Sequence, residues 1–446
     1  MSEKPWGDLT PDEKRAQRLD DWRNPSIEFD SPEAEAQYKA RVGRFVDAIL
    51  LEKTPDRVPV NVNSGFWPAA RAGVTPYDAM HDAARANQAW VDFNVEFQPD
   101  AMVSPMLYTT PASVFEALGY NLYAWPGHGT PHDVGYQYNE QEWMLPEEYD
   151  DLIADPSDYM LRAYLPRSVG AFAGFTKLSS LFDYVELPFV SGQISGWGSP
   201  EMQASLERLA RAGREVRAWE DTLFPVLDHL KAIGFPAYFG GASKAPFDIL
   251  GDTLRGTRGV MVDMFRCPEK ILEACERLVP VAIRWALKRP SGPATPVVFL
   301  PLHKGADGFM SDEQFRTFYW PTLRKVIMGL IAEGIIPFLF AEGRYGSRLE
   351  IISDLPKGKT VWLFDQTDMA RAKETIGRVA CIEGNVPLSL LHAGTPEEVT
   401  AYTRRLIDTA GVGGGYILDI GAVADAGRDE NLHAMIKTAK EHGVYA

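Results

Sequence analysis

The sequence predicts an α/β protein, a single (β/α)8 barrel of the TIM type that carries an N-terminal arm and one long insertion. Short apolar runs alternate along the chain with amphipathic stretches, which is the pattern of a βα-repeat protein. Eight of these runs have the length and composition of strands, the number with which such a barrel closes. The chain has 446 residues and is 45% hydrophobic, which supplies enough apolar surface for one large core.

The first 40 residues differ in composition from the rest of the chain. Residues 1–40 are rich in Pro, Asp, Glu and Arg, so we expect an arm that packs on the body of the protein or on another subunit. The barrel then occupies residues 41–446. Its candidate strands are residues 58–62, 101–104, 236–240, 296–301, 335–340, 361–364, 380–383 and 416–420.

Helical stretches separate most of these strands. The clearest are residues 200–232, 268–288, 312–333, 368–376, 396–409 and 430–442. Side chains of the type that caps helix N-termini precede several of them, one in capping-box spacing and two before a proline. The expected N-caps are Ser199, Ser311, Asp368 and Thr395.

The gap between the second and third strands is too long for one crossover helix. It runs from Ser104 to Pro236, and we expect it to hold an insertion at about residues 110–232. Insertions in the loops of such folds often cover the active site. A glycine run at residues 413–415 precedes a strand and lacks the following helix that a phosphate loop needs, so we expect a turn there.

Composition limits the partners and the compartment. With 45 Lys and Arg against 61 Asp and Glu, the formal charge of −16 disfavours nucleic acid and anionic membranes. The polar N-terminus does not resemble a signal peptide, and no apolar run approaches 18 residues, so a cytoplasmic protein is expected. The cysteines Cys267, Cys275 and Cys381 match neither a disulfide framework nor a zinc pattern, and buried structural thiols are expected.

The chemistry of this fold is found at the C-terminal ends of the strands. The catalytic candidates there are Glu342, His303 and Asp365. Glu342 could act as a general base, as a metal ligand, or only as the ion-pair partner of Arg344. His303 could be a ligand, a general acid or base, or a hydrogen-bonded histidine at the rim. Asp307 also follows a strand, but it could equally hold a turn before the next helix instead of facing the site.

Other polar residues at the strand ends and in the insertion are candidates for binding the substrate. Aromatic residues are frequent in the insertion near residues 125–143, so this segment either walls a flat, aromatic-friendly site or packs its own side chains together. No GxSxG, Walker A or GxGxxG motif occurs, which disfavours serine hydrolases, NTPases and dinucleotide-binding enzymes. The substrate-binding candidates are Asn61, Asn63, Tyr108, His128, Tyr136, Arg344, Tyr345, Asn385 and Asp419.

The C-terminal third resembles the uroporphyrinogen decarboxylase superfamily, and the match extends more loosely back to about residue 40. The resemblance implies a (β/α)8 barrel, in agreement with the strand count. It also implies either porphyrinogen decarboxylation or transfer of methyl groups to or from corrinoid or thiol carriers. The residues that carry it are Gly384-Asn385-Val386, Gly394-Thr395-Pro396-Glu397-Glu398-Val399, Gly415-Tyr416-Ile417-Leu418, Glu430-Asn431 and Ala434-Met435.

The sequence departs from both branches of that superfamily. The decarboxylases have an arginine-rich motif and an essential aspartate, and here the first strand has no arginine beyond Arg57 and the aspartate position holds Pro105. The thiol-methylating branch binds zinc through one histidine and two cysteines, and those positions hold Phe340, Glu342 and Ala422. The resemblance therefore leaves a possible zinc site with oxygen and nitrogen ligands, for which Glu342 and His303 are the first candidates.

These departures from both branches favour a methyltransferase or O-demethylase component. It would move a methyl group from a small substrate, such as an aromatic methoxylated one, to a corrinoid on a separate protein, since the chain itself lacks the corrinoid-binding DxHxxG motif. A metal-free lyase or decarboxylase that uses Glu342, Asp365 and His303 is the first alternative, and a non-catalytic small-molecule binder is the second. The resemblance also implies a homodimer.

Overall fold

The structure is a computed structural model that describes residues 4–287 and 295–445. Its main sheet consists of parallel strands in chain order, each paired with the next, and a smaller sheet lies in the insertion. The strands are β1 (Tyr123–Pro126), β2 (Gly129–Thr130), β3 (Gln137–Tyr138), β4 (Gly241–Ala242), β5 (Val297–Leu302), β6 (Ile336–Ala341), β7 (Val361–Phe364), β8 (Cys381–Glu383) and β9 (Tyr416–Ile417).

Backbone hydrogen bonds close the main sheet into a ring. The predicted strands at 58–62, 101–104 and 236–240 are extended segments rather than regular strands. In the first and the third of them, Pro59 and Pro236 lack the N–H that a ladder needs. These segments nevertheless join β9 to β5 in order around the barrel. The joining bonds are Leu418 N to Pro59 O (2.9 Å), Asp100 N to Val60 O (2.8 Å), Met102 N to Pro236 O (2.8 Å) and Gly240 N to Val297 O (2.8 Å). The predicted (β/α)8 barrel is confirmed.

Alternation along the strands decides which side chains line the barrel interior. On β5, Val298, Leu300 and Leu302 belong to the core between the sheet and the outer helices, whereas Val297 and Phe299 belong to the interior core. Successive side chains of a strand point to opposite faces. Positions two residues beyond an interior side chain therefore also face inwards, so His303 continues the inward face of β5.

The helices surround this ring and follow the predicted pattern. The expected caps Ser199, Ser311, Asp368 and Thr395 all accept a backbone N–H at their helix N-terminus. The α-helices are Pro11–Arg23, Pro32–Leu50, Trp67–Arg71, Pro76–His81, Ala83–Phe97, Ala112–Leu118, Tyr149–Ala154, Pro156–Tyr159, Leu165–Ser168, Leu187–Ile194, Pro200–Ala232, Pro246–Asp248, Gly256–Arg266, Pro268–Leu287, Asp312–Gln314, Trp320–Ala332, Leu349–Ile352, Met369–Thr375, Leu388–Ala393, Pro396–Ala410 and Asp429–His442.

Two of the predicted helices need comment. The helix predicted over 312–333 is divided by a π-helical segment, Phe315–Tyr319, directly before Pro321. The proline has no N–H for the regular helical bond, and a local change of helix type accommodates it. The helix predicted over 268–288 is observed as Pro268–Leu287, and its last predicted residue lies outside the described residues.

The N-terminal arm packs on the end of the barrel opposite the C-terminal ends of the strands. Trp22 is buried, stacks on Phe45 with ring centroids 6.2 Å apart, and donates from Nε1 to the carbonyl of Ala237 (3.1 Å). The predicted boundary at residue 40 falls within the helix Pro32–Leu50, whose apolar face joins the interior core. The N-terminal segment therefore closes the bottom of the barrel.

Three smaller expectations can be compared with the structure. Residues 413–415 form a turn in which all three glycines have positive φ, from 69° to 82°, a conformation that side chains disfavour. Cys275 and Cys381 are buried, and burial raises the pKa of both thiols, whereas Cys267 is partly exposed. Across the described ranges, no helix is both long enough and apolar enough to cross a membrane.

Candidate functional site

The three predicted catalytic residues lie on adjacent strands at the same end of the barrel. His303, Glu342 and Asp365 are each the first residue after β5, β6 and β7. The imidazole Nε2 of His303 is 3.4 Å from Oε1 of Glu342. Burial raises the pKa of Asp365, and the charge of Glu342 adds to the effect. The structure thus brings the three groups together as one cluster at the mouth.

A fourth residue, Asp252, completes the environment of His303. The Nδ1 of His303 lies 2.5 Å from Oδ2 of Asp252, which accepts its hydrogen bond. Asp252 also lies 2.7 Å from the ammonium of Lys244 and 3.1 Å from that of Lys304. Burial alone would raise the pKa of Asp252, but the bond from His303 and the charge of Lys244 lower it overall. Asp252 is therefore ionised at neutral pH, next to Nδ1 of the imidazole.

The two carboxylates hold the imidazole of His303 in its charged form. Burial by itself lowers the pKa of His303, because the charged ring loses its contact with water. Hydrogen bonds to Asp252 and Glu342, and the negative charges of both, outweigh burial and raise the pKa to about 10. At neutral pH this side chain is an imidazolium that can donate a proton.

Asp248, one turn before Asp252, fixes the backbone that carries His303. Its carboxylate accepts the N–H of His303 (3.2 Å), the N–H of Lys304 (2.9 Å) and the hydroxyl of Tyr319 (2.7 Å). Burial and the nearby charge of Asp252 raise its pKa to about 6. The strand end is thereby attached to the helical segment that supplies Asp252.

Both aspartates were missed by the sequence analysis, which looked for catalytic groups only at the ends of strands. They lie in the segment "PFDILGDTL" after β4, on two helical turns rather than at the strand end. Their spacing of four residues places them on one helical face. Two carboxylates four residues apart in a largely apolar loop segment were the available signal.

A second acidic group lies deeper in the barrel and is fully buried. Asn61 Nδ2 donates to Glu383 Oε1 and to Asp419 Oδ2, both at 3.0 Å, and the hydroxyl of Tyr238 donates to Glu383 Oε2 (2.9 Å). Burial and the charge of Asp419 raise the pKa of Glu383 well above its usual range, and burial raises that of Asp419 to about 6. The two carboxyl groups therefore share a proton at neutral pH.

Two predicted binding residues have buried amide atoms without a hydrogen-bond partner among the described residues. Asn63 uses its backbone N–H on Asp419 (2.7 Å) and leaves its Nδ2 unpartnered. Asn385 donates from Nδ2 to the carbonyls of Asp365 (3.0 Å) and Thr367 (2.9 Å) and leaves its Oδ1 unpartnered. Such atoms are suited to bind polar groups of a ligand.

Tyr108 and Tyr136 form an aromatic wall with Phe66. The ring of Phe66 packs edge-on against Tyr108 at 5.0 Å and against Tyr136 at 6.1 Å, and the two tyrosines are 6.5 Å apart. Tyr138 extends this side of the insertion towards the catalytic cluster, because its hydroxyl donates to the carbonyl of Asp252. The insertion thus contributes packed aromatic rings next to the site.

Three of the predicted binding residues do not take part in the contacts described above. His128 is exposed and stacks on Trp125, with ring centroids 4.1 Å apart. Tyr345 is buried, and its hydroxyl donates to the carbonyl of Leu302 (3.1 Å). Arg344 is exposed, and Glu342 pairs with His303 rather than with it. The rim ion pair that was one interpretation of Glu342 is therefore not observed.

The donor set does not fit the zinc site that was expected from Glu342 and His303. In the part of the chain that the structure describes, no group of three His, Cys, Asp or Glu side chains is placed to hold a metal ion. Next to His303 lie the ammonium groups of Lys244 and Lys304, which would repel a dication.

The fold and the site together are those of an enzyme barrel, which carries its acid–base groups at the C-terminal ends of its parallel strands. The family model described as "Uroporphyrinogen decarboxylase (URO-D)" matches residues 216–442, just over half of the chain. The protein belongs to this family, whose members are enzymes.

Similar proteins cover different shares of the chain. A uroporphyrinogen decarboxylase of Azoarcus sp. (strain BH72) is 28% identical over 149 residues, and one of Aromatoleum aromaticum is 26% identical over 149 residues. Each match covers 30% of this chain and only 38% of the relative. A methyltransferase from Methanosarcina mazei has a similar fold, with a TM-score of 0.56, 14% identity, and coverage of 91% of this chain and 98% of the other.

Proposed function

We propose that the protein is a methyltransferase component that moves a methyl group from a small methoxylated aromatic substrate to a corrinoid carried by a separate protein. The observation that carries the proposal is the imidazolium of His303, held between Asp252 and Glu342 at the end of the barrel where this fold does its chemistry. The fold that the chain shares with a methyltransferase is consistent with it.

His303 supplies the proton that the leaving group needs. As the methyl group departs to the acceptor, the electron pair of the broken C–O bond stays on the oxygen, which takes the proton of Nε2. The imidazole becomes neutral and keeps its Nδ1–H on Asp252. The pKa of His303 is about 10, close to that of a phenol such as the tyrosine side chain, about 10. Transfer to a departing phenolate is therefore nearly thermoneutral.

The groups that react are partly exposed. The side chain of Glu342 is 40% exposed and that of His303 is 32% exposed. An acceptor bound to another protein must reach the methyl group at the mouth, so the reaction requires this exposure. Glu342, the more exposed partner of Nε2, is the group that moves aside when an ether oxygen takes its place.

The direct experiment follows a labelled methyl group. The full chain is incubated with methoxybenzene carrying a 13C-methyl group and with free cob(I)alamin, and phenol and the labelled acceptor are measured. His303→Gln should slow the reaction by about 10²–10⁴-fold, the usual contribution of a general acid. His392→Gln, at an exposed histidine, is the matched control. Wild-type protein that yields neither phenol nor labelled acceptor would contradict the proposal.

A decarboxylase is the second candidate, and the curated relatives support it, since those named above are uroporphyrinogen decarboxylases. In that reaction the C–C bond to the carboxylate breaks, its electron pair stays on the substrate carbon, and His303 protonates that carbon. Release of carbon dioxide from a carboxylated substrate, without methyl transfer, would favour this candidate. A protein that binds ligand equally well with and without His303 and turns over nothing would be the non-catalytic binder.

A homodimer is the expected assembly. Light scattering of the purified full chain measures its mass directly and separates a dimer from a monomer of 49.6 kDa. The same measurement with an added corrinoid protein tests for the proposed partner.

A further inference from the structure

A column of aromatic rings runs up the barrel interior from its closed end. Phe45 of the N-terminal segment contacts Tyr238, with ring centroids 4.7 Å apart, and Tyr238 contacts Phe338 at 5.7 Å. Phe338 then contacts Phe239 at 4.9 Å, and Phe239 contacts Phe299 at 5.3 Å. Tyr238, Phe338 and Phe299 all belong to or pack against the interior core. The order of contacts therefore leads from the bottom of the barrel towards its mouth.

Exposure is uneven along this column, and Phe340, which contacts Phe299 at its upper end, is only 3% exposed. Tyr238 is 3% exposed and Phe338 is 1% exposed, whereas Phe239 is 39% exposed although its ring packs on two interior side chains. Phe299 is half-buried as well. Because these rings contact interior side chains, their exposed area lies on the inner side of the sheet. An exposed large aromatic ring in such a place is costly unless a ligand covers it.

The upper end of the column lies below the catalytic cluster. Phe299 and His303 share the inward face of β5 and are four residues apart, about 13 Å along the strand. On β6, Phe340 precedes Glu342 by two residues, about 7 Å, and the rings of Phe340 and Phe299 are 6.2 Å apart. Phe340 is therefore closer to the cluster than Phe299 is, and a benzene ring that lies on Phe299 extends its substituent past Phe340 towards the mouth.

We propose that Phe239 and Phe299, with the buried ring of Phe340 beside them, form the subsite for an uncharged aromatic ring of the substrate. The ring lies against these side chains, and its methoxy group points up towards His303 and the mouth. The three side chains carry no charge that could compensate an anionic ring substituent, so a neutral ring is favoured over a benzoate. The orientation of the methoxy group rests on the proposed function, whereas the ring subsite rests only on the ring contacts and the exposure of side chains in the barrel interior.

The subsite differs from the aromatic wall of the insertion, and one experiment separates the two. Binding of fluorobenzene, which has no methyl group to transfer, is measured by 19F NMR on the full chain, with methoxybenzene as competitor. The double variant Phe239→Leu/Phe299→Leu should weaken fluorobenzene binding by about tenfold, the combined value of two aromatic contacts. Tyr136→Leu, in the insertion wall, is measured beside it. The control Phe265→Leu, at an exposed phenylalanine of the helix Gly256–Arg266, should leave the affinity unchanged within about twofold.

A second variant, which fills the proposed subsite instead of enlarging it, distinguishes loss of binding from loss of structure. Phe239→Trp adds volume where the wild-type ring is exposed, and it should exclude fluorobenzene while the melting temperature stays near that of the wild type. Unchanged affinity in both Phe239 variants, or loss of binding only in Tyr136→Leu, would overturn the subsite. Fluorobenzene binding that depends on Phe239 and Phe299, in a protein without methyl transfer, would retain the subsite and reject the proposed function.

Discussion

At the scale of single residues, the charge of His303 is the property on which the site depends. Burial opposes that charge, and two carboxylates restore it, one on each ring nitrogen. Because the folded-state pKa is raised above the usual value of about 6.5, the stabilisation is complete below about pH 6.5. It is lost as the pH rises through about 10. Proton donation at neutral pH and stability therefore have the same origin.

Removing one of the two carboxylates should shift the pH range of the reaction. Glu342→Gln keeps the shape of the side chain and removes its charge, so the pKa of His303 should fall by about 1–3 units. The alkaline limit of kcat/KM for methyl transfer should move down by the same amount. Glu350→Gln, an exposed carboxylate on the neighbouring helix, should leave the limit in place. An alkaline limit that Glu342→Gln does not move would assign it to another group.

The sequence predicted part of this cluster for a physical reason. His303, Glu342 and Asp365 directly follow strands, and the geometry of a parallel barrel brings such positions together. Asp252 reaches His303 from a helical segment, and only the folding of that segment over β5 determines the contact. Position after a strand indicates that a side chain is near the mouth, but it does not indicate what the side chain touches.

At the scale of elements, the barrel strands carry an acidic pair in their interior. Glu383 at the end of β8 and Asp419 beyond β9 are both fully buried and share one proton. Carboxyl groups with raised pKa values stabilise the fold at low pH, and this contribution is lost as the pH rises through the folded-state value, about 6 for Asp419. Alkaline pH therefore forces a second negative charge into the interior.

An amide in place of one carboxyl group should remove this pH dependence. Glu383→Gln can still donate to Asp419 and accept from Asn61, but it cannot ionise. Between pH 6 and pH 9 the wild type should lose more than about 1 kcal/mol of stability relative to the variant, since one pKa unit corresponds to about 1.4 kcal/mol. Denaturant unfolding at both pH values measures the difference. A constant difference between the two proteins would show that Glu383 is already ionised in the folded protein at pH 6, which would contradict the raised pKa.

Helix caps offer a test at the same scale. Thr395 caps the helix Pro396–Ala410 and forms a full capping box with Glu398. Thr395→Ala should lower the free energy of unfolding by about 1 kcal/mol, because it removes the acceptor for a helical N–H. Thr409→Ala, in the last turn of the same helix, is the control and should change stability by less than about 0.5 kcal/mol. Equal effects of the two substitutions would argue against a specific cap.

At the scale of the whole molecule, the N-terminal segment and the insertion complete a barrel whose order was predictable. The alternation of apolar and amphipathic stretches specifies parallel strands in sequence, and the observed ring follows that order. The irregular first strands were not predictable from hydropathy, because Val58 and Val60 are as apolar as residues in a regular ladder. Nor does composition reveal that residues 11–23 bury a tryptophan against the barrel.

The arm should therefore contribute to the stability of the whole chain. Trp22→Ala removes a buried ring that stacks on Phe45 and donates to Ala237, and it should cost about 3–5 kcal/mol. Trp6→Ala, at an exposed tryptophan of the same arm, should cost less than about 1 kcal/mol. Thermal and denaturant unfolding of both variants measure the difference. Equal and small effects would mean that the arm is not part of the cooperative unit.

The central claim is that His303 is an imidazolium at neutral pH because Asp252 and Glu342 hold it so. Titration of the full chain by 15N NMR, with the signal of His303 assigned through His303→Gln, measures its pKa directly. The wild type should titrate near pH 10, and Asp252→Asn should lower the pKa by about 1–3 units. A wild-type value near the usual one of about 6.5, unchanged by Asp252→Asn, would contradict the account.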